Sequence, residues 1–155
     1  MDDNELRDRA HQYLYSIRLL DQRIDQEIIQ LEQWRQKALS VGATDYSRVI
    51  VQSSHDNTME NIVANIVDMQ GRINAQIDAL VRLKEDASAL IDQLEIPIDR
   101  SILRYRYICL CSIDDIANRV GYDKRHVIRL CNRGLKALGK KMSPNVTSEC
   151  GKLVS

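Results

Sequence analysis

The sequence predicts an all-α protein: a long antiparallel helical hairpin of coiled-coil type, followed by a small helix-turn-helix domain. Three observations carry that expectation. The 155 residues include six Gly, two Pro and no Phe, and the abundance of Leu, Ile, Gln, Arg, Glu and Asp suits helices better than sheets. Two long stretches before residue 95 repeat apolar residues at alternating spacings of four and three, which is the mark of a helical seam. Past them, a short apolar helix pattern, a Gly and a second helix pattern with a basic face follow in close order.

The first seam is Leu6, Ala10, Tyr13, Ile17, Leu20, Ile24, Glu27, Leu31, Trp34 and Ala38, with Glu27 its one polar interruption. A helix from Asn4 to Leu39 would be on the order of 50 Å long, and such a rod cannot bury its seam alone. Gly42 and residues 43–58 form a connection, with Arg48 to Val51 a short β-like run. Asn57 and Glu60 then make a capping box for a second helix. Its seam is Met59, Ile62, Ile66, Met69, Ile73, Gln76, Leu80, Leu83, Ala87, Leu90 and Leu94, again with one polar break. Two helices of matching length joined by a loop fold back on each other. Leu14, Leu19, Ile29, Val63, Val67, Val81 and Ile91 widen the stripes beyond a narrow seam. They call for another covering surface, either the C-terminal domain or, as the preferred expectation, a second copy in a homo-oligomer.

Pro97 marks a hinge, since Ile96 before it is biased away from helix and a proline suits a first helical turn. The expected division is therefore a helical hairpin over 1–96, a DNA-binding domain over 97–141 and a flexible tail over 142–155. Ile98 to Ile108 forms a third helix with Arg100, Arg104 and Arg106 on a basic face. Ser112 to Leu138 is the helix-turn-helix. Ile113, Ile116, Ala117 and Val120 share one helical face, and Val127, Leu130 and Leu135 resume the stripe after Gly121. Gly121 supplies the positive φ that a tight inter-helix turn needs, while Ser112 and Asp123 serve as N-caps.

The formal charge of zero hides an asymmetry. Residues 1–96 carry 10 Lys/Arg against 17 Asp/Glu, and residues 97–155 carry 12 against 5. Counterion release from phosphates favours the basic half as the nucleic-acid partner, and the acidic half is expected to avoid it. No apolar run approaches membrane-spanning length and no signal-peptide core stands at the start, so a cytoplasmic location with no membrane contact is expected. Cys109, Cys111, Cys131 and Cys150 lack paired metal-ligand spacing and are expected as thiols, with no metal and no cofactor. No nucleophile stands beside a base and no glycine-rich phosphate loop is present, so no enzyme is expected. Asp114 and Asp115 read as first-turn residues favoured by the helix dipole.

With the apolar stripe of the second helix turned inward, its opposite face presents Lys124, Arg125, Ile128, Arg129 and Asn132, flanked by His126, Arg133 and Lys136. Residues near the start of a recognition helix reach base edges in the major groove, and a guanidinium can grip guanine through two hydrogen bonds. Lys124, Arg125 and Arg129 are accordingly the base-reading candidates. Arg119, His126, Asn132, Arg133 and Lys136 are the backbone or secondary contacts to double-stranded DNA.

Residues 98–138, with Leu103-Arg104-Tyr105-Arg106-Tyr107, Ile113 to Ala117, Gly121 and Val127 at matching spacings, resemble the promoter-recognising region 4 of sigma-70 factors. The whole chain resembles short phage and prophage transcriptional regulators of the ArpU/RinA type. That resemblance implies a regulator of late genes, with RNA polymerase as a further partner. It also places Lys124, Arg125 and Arg129 at base-reading positions. Arg125 stands where housekeeping sigma factors commonly carry an acid, and Ile128 where they carry arginine, so the DNA preference is not carried over. Gly134 replaces the usual alanine, which predicts a bend or early fraying. Two competing readings are a small terminase-like DNA-packaging subunit, in which the DNA-binding domain usually comes first, and an adaptor that docks polymerase or another protein without touching DNA.

Overall fold

The computed structural model describes residues 1–43 and 59–142. These form five α-helices: α1 (Asp3–Ala43), α2 (Met59–Asp92), α3 (Pro97–Leu103), α4 (Ile113–Val120) and α5 (Lys124–Lys141). A π-helical turn, Arg104–Ile108, follows α3 directly. Among the described residues there is no strand, so the all-α expectation holds. The β-like run at Arg48 to Val51, Asn57 of the expected capping box and the tail beyond Met142 lie outside the described residues.

The chain divides into two compact units, one made of residues 1–21 and 79–155 and the other of residues 22–78. That division differs from the one expected at Pro97, because the ends of both long helices are built into the same core as the C-terminal helices. In the larger unit Ala10, Tyr13, Leu14, Ile17 and Leu20 of α1 and Leu83, Ala87, Ile91 and Leu94 at the end of α2 are buried, as are Ile102, Leu103, Tyr107, Ile116, Val127 and Leu138. Burying each of the larger side chains contributes roughly 1.5–3 kcal/mol. In the smaller unit Ile24 and Leu31 of α1 and Ile62, Met69 and Ile73 of α2 are buried. Arg35, Ala38 and Leu39 share a groove there with Met59 and Ile66, so the end of α1 meets the beginning of α2, as an antiparallel pairing requires.

The surplus apolar positions split accordingly. Leu14 and Ile91 are fully buried, whereas Leu19, Ile29, Val63, Val67 and Val81 remain exposed. The polar interruptions Glu27 and Gln76 are half-buried, each with one oxygen shielded from solvent.

The third helix is shorter than expected. Its hydrogen bonding widens after Leu103, with the Cys109 amide donating to the Arg104 carbonyl at 2.9 Å and the Cys111 amide to the Tyr105 carbonyl at 2.8 Å. The turn ends at Leu110 with φ 57°, a left-handed conformation that costs a non-glycine residue about 1–2 kcal/mol. Met142, expected to open the tail, is instead buried, and its carbonyl accepts a 2.6 Å hydrogen bond from Arg9. Gly139 makes that docking possible. A Cβ there would lie 2.7 Å from the Leu6 carbonyl carbon and 3.0 Å from Leu6 Cβ, so only glycine lets α5 and the start of α1 approach this closely.

Candidate nucleic-acid interface

The interface is built on α4 and α5. The Ser112 hydroxyl accepts from the Asp115 amide at 3.1 Å and donates to the Asp115 carboxylate at 2.8 Å, which closes a reciprocal cap at the start of α4. Gly121 stands at φ 73° and its amide donates to the Ala117 carbonyl at 3.0 Å, stopping α4 with the left-handed residue that glycine tolerates. Tyr122 and Asp123 complete a three-residue turn, and Asp123 caps α5 by accepting from the Arg125 amide at 3.1 Å.

Each residue of α5 advances about 100° around the axis. Val127, Leu130, Cys131, Gly134, Leu135 and Leu138 therefore fall on one side, and all six are buried. The opposite side carries Arg125, Arg129 and Arg133, all exposed, with Asn132 and Lys136 half-buried. Ile128 is 45% exposed at one edge of this face. Gly134 produces neither a bend nor fraying, for α5 runs on to Lys141. An added Cβ would come within 3.2 Å of Leu103 Cδ1 and 3.4 Å of Asp99 Cβ, so the glycine lets α3 seat closely on α5.

The structure assigns the predicted cations different neighbours. Lys124 Nζ lies 2.7 Å from Asp114 of α4, both side chains being well exposed. A pair so wetted contributes about 0–1 kcal/mol and yields readily to a phosphate. Arg119 stacks its guanidinium over the Tyr105 ring at 5.7 Å, and His126 packs edge-on against Tyr122 at 4.8 Å between ring centroids. Arg133 donates through Nε and Nη2 to the two carboxylate oxygens of Asp99, at 3.0 and 2.7 Å. Asp99 is only 2% exposed, and its hydrogen bonds push the Arg133 pKa up. Among the described residues, Arg125, Arg129 and Lys136 have no acidic partner. These three form the unneutralised part of the face.

The basic face expected on the third helix is divided up. Arg100 donates to the carbonyls of Leu94 and Glu95, at 2.5 and 3.3 Å, and Arg104 pairs with Asp92. Both tie the C-terminal helices to the end of α2. Arg106 faces a cleft of about 400 Å³ beside α5, with Arg7, Asp8 and His11 of α1 on its other wall. The periodicity of α1 gave no sign of this, since His11 meets Tyr107 across a separation of 96 residues.

A family model described as a protein of unknown function (DUF1492) matches residues 40–139, more than half of the chain. The chain belongs to this family. The matched span takes in all of α2, the π turn and the helix-turn-helix through Gly139, so the candidate interface lies inside it. Nothing among curated proteins or solved structures matches. No helix among the described residues is long and apolar enough to cross a membrane.

Proposed function

We propose that this chain is a sequence-specific DNA-binding transcription regulator that lays α5 in the major groove of double-stranded DNA. The observation that carries the reading is the arc of exposed Arg125 and Arg129 with half-buried Lys136, free of acidic partners among the described residues, on a helix set out by a capped three-residue turn. Arg125 and Arg129, near the start of α5, have the fork of donors suited to base edges, and Lys124 reaches them on leaving Asp114. Lys136, Arg119, Asn132 and His126 serve the backbone. Arg133, held by a buried carboxylate, positions α3 against α5. The likeness to ArpU/RinA-type regulators extends the proposal to phage or prophage late-gene control with RNA polymerase as partner. The apolar positions left exposed on the long helices, Ile29, Val63 and Val67 among them, support a homo-oligomer.

Selection of bound sequences from random DNA, with affinity then measured against salt on the winner, tests the reading. The two cations assigned to the backbone, Lys136 and Arg119, predict a slope of log K against log salt of about −2 for each bound copy. Enrichment of no sequence, with weak binding at low salt, overturns it and favours a protein-docking adaptor. Sedimentation velocity checks the oligomer: a single monomeric species at micromolar concentration rules it out, and Val67→Asp should shift an oligomer toward monomer.

A further inference from the structure

The cleft beside α5 brings Arg7, His11, Arg106 and Asn132 together against an apolar wall of Ile113, Ile128 and Leu135. Arg7 is held by Asp8 through Nε and Nη2, at 2.9 and 2.7 Å, which leaves its remaining guanidinium nitrogen unengaged by that carboxylate. Arg106 lies over the Tyr107 ring at 5.8 Å and, among the described residues, has no carboxylate partner. His11 Nδ1 lies 2.8 Å from the Tyr107 hydroxyl. Burial pushes the Tyr107 pKa up, and Arg106 and Cys131 also hydrogen-bond with its hydroxyl. Burial and then Arg106 pull the His11 pKa down. A neutral imidazole that accepts at Nδ1 carries its proton on Nε2, a second donor. Asn132 of α5 adds an amide to the same lining.

We infer that this cleft holds a phosphate-type oxyanion, gripped by Arg106 and Arg7 with His11 and Asn132 as neutral donors. Two cations, one of them half-compensated by Asp8, and uncharged N–H groups suit a group of one to two negative charges. Ile128 and Asn132 belong both to the cleft and to the edge of the exposed face of α5. A DNA strand flanking α5 would therefore bring its backbone phosphate here, making the start of α1 part of the interface; this source rests on the proposed function. A free phosphorylated small molecule is the other source of the same chemistry and does not depend on it.

The His11 ring signals, assigned with His11→Gln, are followed by NMR as inorganic phosphate is added to the full chain, with sodium chloride at matched ionic strength as reference. A saturable response to phosphate, accompanied by a rise in the His11 pKa and lost in Arg106→Gln but partly kept in Arg106→Lys, is the expected result. No response, an equal response to chloride, or an unchanged response in Arg106→Gln overturns the site. Should Arg106→Gln fail to fold, Arg7→Gln carries the test, with a several-fold weaker response expected and an unchanged one counting against the site. The salt slope on selected DNA separates the sources. A fall of about one in Arg106→Gln assigns the phosphate to the DNA backbone, and an unchanged slope in that variant, with the parent chain responding to phosphate and the variant not, assigns it to a free ligand. A phosphate response in a chain that selects no DNA upholds the cleft and defeats the DNA-binding proposal.

Discussion

Replacing Gly139 with alanine sets helix propensity against close packing. Propensity alone favours alanine by up to about 1 kcal/mol inside a helix. The added methyl, however, would stand 2.7 Å from the Leu6 carbonyl carbon, well inside the roughly 3.5 Å at which carbon atoms pack best. The obstacle is backbone in α1, which cannot rotate aside as a side chain would, so the start of α1 must back off by nearly an ångström. That movement would strain the Arg9 hydrogen bond to the Met142 carbonyl. Overpacking costs about 1–3 kcal/mol, and against unyielding backbone the upper part of that range, about 2–3 kcal/mol, applies; less the propensity gain, this leaves a net loss of roughly 1–2 kcal/mol. Gly71→Ala is the internal control, because an added Cβ there meets nothing within 4 Å and should stabilise by about 0.4–1 kcal/mol. Urea denaturation followed by circular dichroism measures both. A Gly139→Ala variant as stable as the parent, beside a stabilised Gly71→Ala, would refute the docking of α1 on α5.

Arg133→Ala leaves the buried Asp99 carboxylate without its bidentate partner and should destabilise by about 1–3 kcal/mol, the exposure of the arginine moderating the loss. A double-mutant cycle with Asp99→Asn should recover most of that as coupling, and independent losses would show the pair to be incidental. Because the native His11 pKa is lowered from 6.5, the unfolded chain takes up the proton at a higher pH than the native one does. This contribution to stability is therefore complete above about pH 6.5 and is lost as pH falls toward the native value. The thermal midpoint should drop with acidification over that window by less in His11→Gln than in the parent, and equal drops would count against the buried neutral imidazole. Arg129→Ala should cost about 1–3 kcal/mol on selected DNA and relax its sequence preference, whereas Lys136→Ala should weaken all sequences alike. Equal effects of the two on every sequence would remove the base-reading assignment.

Much of the local structure could be read from the residues, because the determining interactions span only a few positions. The α4–α5 corner needed Gly121 for a positive φ and Ser112 and Asp123 for orphan amides, and all three do that work. The stripe Val127, Leu130 and Leu135 correctly put Arg125 and Arg129 outside. The π turn was missed because no periodic signal marks a widening of one hydrogen-bonded turn. The consequence was local: Arg100, Arg104 and Arg106, taken as one basic face, went to three different environments. Gly134 was misjudged, and the ion pair of Arg133 with Asp99 was not foreseen, since both answer to α3, whose closeness to α5 has no trace in the pattern of α5.

The acidic first helix shows the limit most clearly. Its seam declared a helix and a buried side, and even the polar break at Glu27, but a hydrophobic stripe attracts any apolar surface and names no partner. Which surface it met was decided by contacts between residues far apart in the chain: Leu6 with Gly139, Arg9 with Met142, His11 with Tyr107. The sequence by itself determined the helices, their caps, the turn and the outward cations, all products of backbone geometry over one or two turns. Only the tertiary structure decided that the start of the acidic half is built into the basic domain and brings Arg7 and His11 to the edge of α5, because that depends on the shape two distant segments make together.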